Sequence, residues 1–390
     1  MRIGVLREVA ALERRVALTP EGVRRLVESG HSVDAESGCG DGAGLSDASY
    51  ADAGASVVQR DQVVANADVI LQVRATGTHQ TDDGVLAELD SSKVLIGNAD
   101  PLWMAENAAS IASTGATLLA LELVPRISRA QNMDVLSSQV TVAGYEAVLL
   151  AATRAPRMFP MLMTAAGTVP PSRVFVLGAG VAGLQAIATA KRLGAVVDAY
   201  DVRPAAAEQI RSVGGRAVDL ALEAGDAEDS GGYATAQTED VNARQQRLLA
   251  PVIAEADVVI TTAAVPGAAS PELITADMVT MMRPGSVVID LAAERGGNCS
   301  LTVADTEVLY DGITILGPTD LPSRSPRDSS QMLSNNIVAL LDYLVADGAL
   351  VVDVDDEVTG ALLVARGGSV CHPRVLDKLD HATKAQNEEQ

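Results

Sequence analysis

Three glycines between an apolar run and a helical pattern are the residues with the most specific chemistry in this sequence. Gly178, Gly180 and Gly183 follow the apolar run Val174 to Leu177, and the helical pattern after them ends near Gly194. The first glycine permits a tight turn, the second lets the backbone approach a pyrophosphate, and the third allows close packing of helix on strand. The N–H groups of a helix N-terminus stabilise an anion. The pattern therefore predicts a dinucleotide cradle made of Gly178, Ala179, Gly180, Val181, Ala182 and Gly183.

An acidic residue at the end of the next apolar run indicates which dinucleotide binds. Asp201 lies 18 residues after Gly183, where a carboxylate can accept hydrogen bonds from ribose hydroxyls. Its charge would repel the 2′-phosphate of NADP, so we expect NAD(H) as the cofactor. Val202 and Arg203 extend the candidate ribose site. Arg203 could soften the repulsion, although an ordinary solvated arginine is the simpler interpretation.

Small residues after the fourth apolar run of this series are further candidates. The segment Thr261 to Pro271 contains Thr262, Ala263, Ala264 and Gly267, and Asp290 to Asn298 ends the fifth run. Both segments fall at the carboxyl ends of predicted parallel strands, where ligands lie in such sheets. We expect the first to pass beneath a nicotinamide ribose. Alternatively, both are glycine- and proline-containing loops without a ligand.

A polar segment, Pro125 to Gln139, separates an apolar run from a helical pattern, and we call it the polar strip. A nicotinamide carboxamide offers one acceptor and two donors. Arg126 could donate to its oxygen, and Asp134 could accept from its nitrogen or hold the arginine. Ser137 or Ser138 could complete the set, with the strip lining a cleft between two domains. Alternatively, Asp134 is an ordinary helix N-cap and the arginines are solvated.

The elements that must position these residues form α/β layers. Short apolar runs alternate with helical patterns, and runs that are apolar throughout indicate parallel strands buried on both faces. Helical patterns over Ser137 to Arg154 and Ser329 to Gly348 indicate two crossings between domains. We therefore predict two doubly wound parallel-sheet, Rossmann-like domains, the second inserted in the first. The expected limits are 1–136 plus 325–380 for the first domain, 137–324 for the NAD(H)-binding domain, and 381–390 for a tail.

Composition excludes several classes of protein. The chain has 390 residues, 48% of them hydrophobic and 2% aromatic, and a formal net charge of −22. That charge disfavours nucleic acid and direct docking on anionic lipid. Three isolated cysteines without a CxxC pair, and four histidines without an HExxH motif, favour a reducing compartment and predict no metal site.

Membrane insertion is not expected either. The N-terminus lacks the continuous apolar segment of a signal peptide. The late apolar run Ile337 to Val354 is interrupted by Asp342, Asp347 and Gly348. We therefore predict a cytoplasmic protein.

The interval Glu223 to Gln246 is acidic and nearly free of apolar residues. It predicts a solvated, mobile loop. Alternatively, it is a lid that folds over a ligand, with Tyr233 as its one large side chain.

Several of these segments together resemble the NAD(H)-binding component of proton-translocating NAD(P) transhydrogenase. The resemblance runs from Met1 to about Pro373. Its segments are RISRAQNMDVLSSQVTVAGYEAV, RVALTP, VLGAGVAGLQAIATAKRLGA, YDVRP and GGNC. Alanine dehydrogenase is similar in fold, in RVALTP and in the glycine fingerprint. Its pattern has a lysine near the end of ADVILQV, a histidine after KVLIG and an aspartate further on, whereas this chain has Arg74, GNADPL and Glu294.

The resemblance implies a role for each candidate residue. Arg126, Asp134 and Ser137 would orient the dihydronicotinamide, Gln131 would reach toward the partner's nucleotide, and Tyr233 would close over the adenosine end. It also implies a homodimer, a separate subunit that binds NADP(H), and a membrane-spanning subunit that couples hydride transfer to proton movement. This chain would then lie at the inner face of the plasma membrane, held there by its partners.

The missing histidine fits that interpretation. Reduction of a carbonyl moves a hydride and a proton and so needs an acid. Transfer of hydride from NADH to NADP⁺ needs only aligned rings and exclusion of water. Two alternatives stay open at this stage: an alanine dehydrogenase-like amino-acid dehydrogenase, and a non-catalytic module that senses NAD(H).

Overall fold

The structure is a computed structural model that describes residues 1–78, 81, 83–220 and 239–388. The chain forms two compact units, Met1–Gln139 with Pro322–Gln390, and Val140–Leu321. Tyr233 and most of the predicted mobile loop lie outside the described residues. The end of that interval is described, and it is helical from Glu239.

The strands are short and fall where apolar runs were predicted, with additions at the sheet edges. In chain order they are β1 Arg2–Val5, β2 Ser32–Glu36, β3 Ser56–Val58, β4 Val69–Arg74, β5 Val94–Asn98, β6 Thr117–Ala120, β7 Leu162–Thr164, β8 Gly167–Val169, β9 Arg173–Leu177, β10 Val196–Tyr200, β11 Arg216–Ala217, β12 Val258–Thr261, β13 Val287–Asp290, β14 Glu307–Tyr310, β15 Ile313–Leu316, β16 Val345–Ala346, β17 Ala349–Leu350, β18 Leu363–Arg366 and β19 Ser369–Val370.

Helices connect most of these strands. In chain order they are α1 Pro20–Glu28, α2 Asp47–Asp52, α3 Arg60–Asn66, α4 Ala105–Ser113, α5 Val135–Arg154, α6 Val181–Arg192, α7 Ala206–Ser212, α8 Glu239–Ala254, α9 Ala276–Thr280, α10 Leu321–Arg324, α11 Pro326–Leu344, α12 Glu357–Leu362 and α13 Pro373–Glu388. α13 therefore extends into the predicted tail.

The first unit contains a sheet of order β19-β18-β6-β5-β4-β1-β2-β3. Its strands from β6 to β3 are parallel. Consecutive strand residues point to opposite faces, and both faces are buried. Ile70 lies in one apolar core and Leu71 in the other, and neither is exposed to solvent. This two-sided burial explains why the run that forms β4 is apolar throughout.

The second unit contains a sheet of order β11-β10-β9-β12-β13-β15-β14. The chain passes from β9 to β10 on one side and later to β12 on the other, so the strand order reverses next to β9. Ligands of open α/β sheets bind at the carboxyl ends of the strands at such a reversal. The predicted fold class, α/β with parallel-sheet Rossmann-like units, is confirmed.

Several predicted boundaries were wrong. The run Ala116 to Val124 is strand only to Ala120, and a 3₁₀ turn follows it. α11 ends at Leu344 rather than Gly348, because the chain there turns into the pair β16–β17. The sheets are not wholly parallel, since β14, β18 and β19 pair antiparallel. β14 escaped prediction because this edge strand is mostly exposed and lacks a continuous apolar run.

Candidate functional site

The glycine fingerprint of the second unit lies between β9 and α6, and two of its glycines are required by the backbone. Gly178 has a φ of 99°, in the left-handed region. A Cβ on Gly183 would lie 1.9 Å from the carbonyl oxygen of Gly178. Gly180 differs, because a Cβ there would meet no atom within 4 Å. Open space at this backbone position fits the close approach of a pyrophosphate.

The first turn of α6 is held close to α5. A Cβ on Gly144 would lie 2.2 Å from the carbonyl oxygen of Ala182, so only glycine allows this packing. The amide of Leu184 bonds to the carbonyl of Gly180 at 2.9 Å and starts the helix. The amides of Val181, Ala182 and Gly183 fall in the turn whose N–H groups lack intrahelical acceptors, which is the anion-binding end of a helix.

Asp201 follows β10 and is engaged on both carboxylate oxygens. Oδ2 accepts from the amide of Ala179 at 2.7 Å. Oδ1 accepts from the backbone amide and Nε of Arg203, each at 2.9 Å, and Nη2 of Arg203 donates to Oδ2 at 3.0 Å. Both side chains are mostly buried. The interpretation of Arg203 as a solvated surface residue was therefore wrong, because a two-point ion pair folds it onto Asp201. Val202, between them, is half-buried.

The loop after β12 lies against the glycine fingerprint. The amide of Thr262 donates to Leu177 at 2.8 Å, and its hydroxyl donates to Gly178 at 3.2 Å. Ala263 exchanges two hydrogen bonds with the side chain of Asn298, at 3.0 and 2.8 Å. Ala264 continues the loop, and Gly267 has a φ of 70° in its turn. The structure thus places these candidates beside the predicted cradle.

Asp290 and Asn298 are two buried residues whose roles sequence reasoning missed. Asp290 ends β13, and its carboxylate accepts hydrogen bonds from the amide of Asn298 at 2.7 Å and from the hydroxyl of Thr261 at 2.9 Å. It also accepts from Cys299 and Thr302. The Asn298 amide group donates to Pro271 at 2.9 Å. The available signal was an aspartate at a strand end, followed within its loop by GGN.

In the first unit, the polar strip forms a 3₁₀ helix, Ser128–Met133, and then the start of α5. Asp134 caps α5, because its Oδ1 accepts from the amide of Ser137 at 2.8 Å and its Oδ2 from the Ser137 hydroxyl at 2.5 Å. The helix-cap interpretation of Asp134 is therefore correct. Asp134, Ser137 and Ser138 are half-buried, so they also present polar atoms to solvent.

The other polar residues of the strip lie on its exposed side. Arg126 and Gln131 are exposed. Arg129 pairs with Asp356 at 3.4 Å and with Glu357 at 3.2 Å. It is half-exposed and engaged with α12 and its cap rather than simply solvated.

The last residue of the strip joins a buried ionic cluster that sequence reasoning did not predict. Arg15 donates from Nη1 to Oε1 of Gln139 at 2.7 Å, and from Nε and Nη2 to the two oxygens of Glu13, each at 2.7 Å. Burial opposes ionisation of Glu13, but attraction and hydrogen bonding from Arg15 outweigh it and lower the pKa of Glu13 to about 2. Ser323 also donates to Glu13.

A second carboxylate lies beside this cluster in the opposite state. Burial, reinforced by the charge of Glu13, raises the pKa of Glu8 to about 8, although the amides of Val73 and Arg74 donate to it. Two neighbouring carboxyl groups thus differ in proton affinity because only one has a guanidinium partner.

Comparison with known proteins covers nearly the whole chain. Residues 4–143 match the model "Alanine dehydrogenase/PNT, N-terminal domain", and residues 147–373 match "Alanine dehydrogenase/PNT, C-terminal domain". The chain is 43% identical over 377 residues to the first polypeptide of the NAD(P) transhydrogenase alpha subunit of Rhodospirillum rubrum, covering 96% of this chain and 98% of that one.

Two further relatives bracket the family. The crystal structure of the transhydrogenase from Sinorhizobium meliloti is 40% identical, with a TM-score of 0.82, over 96% of this chain and 99% of that one. The alanine dehydrogenase of Halomonas elongata is 30% identical over 97% of this chain and 96% of its own length. The resemblance seen in the sequence is confirmed: the chain belongs to the alanine dehydrogenase/PNT family.

Proposed function

We propose that this chain is the NAD(H)-binding component of a proton-translocating NAD(P) transhydrogenase. It binds NADH and passes a hydride to NADP⁺ held by a partner subunit. The observation that carries the proposal is the full-length similarity to a transhydrogenase alpha-subunit polypeptide, within which both the cradle and the polar strip fall.

The second unit supplies the nucleotide grip. The residues around Gly180 fit a dinucleotide, because this turn leaves space at the amide end of α6. Asp201 would hold the adenosine ribose, with Arg203 setting its orientation. The loop with Thr262, Ala263, Ala264 and Gly267 would pass beneath the nicotinamide ribose. Tyr233 would close over the adenosine end, in the role that the resemblance gives it.

The polar strip supplies orientation of the reacting ring. Arg126, Asp134, Ser137 and Ser138 would hold the carboxamide of the dihydronicotinamide, and Gln131 would reach toward the partner's nucleotide. Hydride passes from one ring carbon to the other with no proton transferred at either carbon, so aligned rings and exclusion of water are the main requirements.

The partners follow from the same proposal. The protein works as a homodimer with an NADP(H)-binding subunit, and a membrane-spanning subunit couples hydride transfer to proton translocation. It lies in the cytoplasm, peripheral to the inner face of the plasma membrane. Its net charge of −22 is consistent with attachment through protein partners rather than through anionic lipid.

An amino-acid dehydrogenase is the second candidate, favoured by the similarity to alanine dehydrogenases. The residue after Gly97, where that family pattern places a histidine, is Asn98. Its amide nitrogen donates to Val73 at 2.7 Å. A carboxamide cannot transfer a proton to a carbonyl oxygen at neutral pH. A sensor that binds NAD(H) without hydride transfer is a further alternative.

A mixing assay separates these functions. The protein is given NADH and oxidised 3-acetylpyridine NADP, with and without a purified NADP(H)-binding subunit of this family. We expect hydride transfer only with the subunit present. NAD⁺ reduction driven by alanine with this chain alone would establish the dehydrogenase. Tight NADH binding with no transfer in the complete mixture would establish the sensor.

A further inference from the structure

The amide group of Gln139 is held from both sides in one orientation. Its Oε1 accepts from Nη1 of Arg15 at 2.7 Å, and its Nε2 donates to the carbonyl oxygen of Ser329 at 3.2 Å. A guanidinium only donates and a carbonyl only accepts, so each contact independently assigns oxygen and nitrogen. Gln139 is 7% exposed. Turning the amide over would leave two buried polar contacts broken, which is strongly unfavourable.

Arg15, in turn, is fixed by Glu13. Two parallel hydrogen bonds of 2.7 Å join the guanidinium to the two carboxylate oxygens. Such a fork sets the plane of the guanidinium as well as its position. A chain of fixed orientation therefore runs from Glu13 through Arg15 to Gln139.

The next link is the hydroxyl of Ser138. Nε2 of Gln139 donates to its Oγ at 3.2 Å, and Oγ donates its one proton to the carbonyl of Val135 at 3.0 Å. A hydroxyl has two lone pairs. The contacts made within the described residues use the proton and one lone pair, and leave the second lone pair. The Ser137 hydroxyl also gives its proton inward, to Asp134.

We propose that Gln139 is a positioning residue that makes Ser138 a hydrogen-bond acceptor for the N–H₂ group of the nicotinamide carboxamide. The proposal rests on the proposed function, in which the polar strip holds that carboxamide. Asp134 and Ser138 then both act as acceptors, which matches the two donors of a primary amide. A ring that carries an acetyl group in place of the amide offers no donor and loses these contacts.

The test is nucleotide selectivity measured on the isolated full-length chain. NADH and the reduced 3-acetylpyridine analogue are titrated separately, and the ratio of their dissociation constants is the readout. We expect the unmodified chain to prefer NADH. Ser138→Ala should reduce that preference two- to tenfold, the range of one net hydrogen bond. Gln139→Met should reduce it similarly, because the hydroxyl is then free to rotate. The double variant should lose no more than either single variant.

Gln72→Met is the matched control. Gln72 is also buried in the first unit, where it donates to Asp83 and accepts from Thr76, each at 2.9 Å. It should lower the melting temperature and leave the selectivity ratio unchanged. A Gln139→Met protein that loses stability but keeps the ratio would overturn the proposal.

An unchanged ratio in Ser138→Ala would also overturn it, even if Gln139→Met fails to fold. Either result is compatible with hydride transfer in the mixing assay and so leaves the proposed function intact. Failure of the unmodified chain to bind NADH would instead contradict the proposed function itself.

Discussion

The side chain of Asn298 forms a two-point hydrogen-bonded pair with the backbone of Ala263. Its oxygen accepts the Ala263 amide at 3.0 Å, and its nitrogen donates to the Ala263 carbonyl at 2.8 Å. The same nitrogen donates to Pro271 at 2.9 Å. One fully buried side chain therefore fixes both ends of the loop that follows β12, and Asp290 fixes the backbone of Asn298 from below.

Replacing this asparagine should loosen the loop. Asn298→Leu leaves the amide of Ala263 and two carbonyls without partners, and each such buried group costs about 1–3 kcal/mol. We expect the free energy of unfolding to fall by roughly 3 kcal/mol or more and NADH affinity to fall with it, as measured by urea unfolding and by titration. Asn335→Leu, on an exposed face of α11, is the control and should change neither. A stable Asn298→Leu protein with normal affinity would remove the assigned role.

The pair of Asp201 and Arg203 should set the preference for NADH over NADPH. Asp201→Ala removes the negative charge and releases a guanidinium that can meet a 2′-phosphate. We expect NADPH binding to improve about tenfold, equivalent to about 1.4 kcal/mol, while NADH binding weakens. Adding Arg203→Ala should abolish the gain for NADPH. If Asp201→Ala leaves the ratio of the two dissociation constants unchanged, the acidic residue does not select the cofactor.

Substitutions in the polar strip should separate binding from hydride transfer. Arg126→Ala and Asp134→Asn leave the cradle of the second unit unaltered, so NADH should bind nearly normally. Transfer to the partner's nucleotide should slow far more, because ring alignment contributes mainly in the transition state. Stopped-flow transfer rates and equilibrium titration measure the two quantities. Equal losses in both would argue against an orienting role. Asp134→Asn also tests capping, since the melting temperature reports loss of the helix cap.

Sequence reasoning succeeded where a local pattern determines the structure. The apolar run at β4 and the glycines around β9 each reflect a constraint within a few residues, namely two-sided burial or a backbone that tolerates no Cβ. It failed for contacts that the chain makes at long range. Arg15 and Gln139 are 124 residues apart, and nothing in either segment specifies the other.

Proximity in sequence did not settle every case. Asp201 and Arg203 are two residues apart, yet a solvated arginine and a paired one give the same sequence. The conformation of the turn after β10 decides between them. Edge strand β14 was missed for a similar reason, because exposure on the sheet edge removes the apolar signal.

Glu8 should make stability depend on pH in a defined window. Burial beside Glu13 raises its pKa from about 4.5 to about 8. Between these values the unfolded chain has lost the proton while the folded protein keeps it. The contribution to stability is therefore complete below pH 4.5 and is lost as pH rises to 8, at about 1.4 kcal/mol per pH unit. Burial also raises the pKa of Glu122 to about 7, so the interval from pH 7 to 8 reports mainly on Glu8.

Glu8→Gln tests this directly, because a neutral amide can still accept from the amide of Val73 and carries no proton to lose. Unfolding free energies measured in urea from pH 5 to 8 should fall less steeply in this variant, with the difference persisting above pH 7. Glu122→Gln should flatten the profile only below pH 7. Glu13 acts in the other direction, since its lowered pKa gives stability that is lost only as pH falls from 4.5 toward 2. Identical profiles for Glu8→Gln and the unmodified protein between pH 7 and 8 would mean that Glu8 is ionised in the folded state.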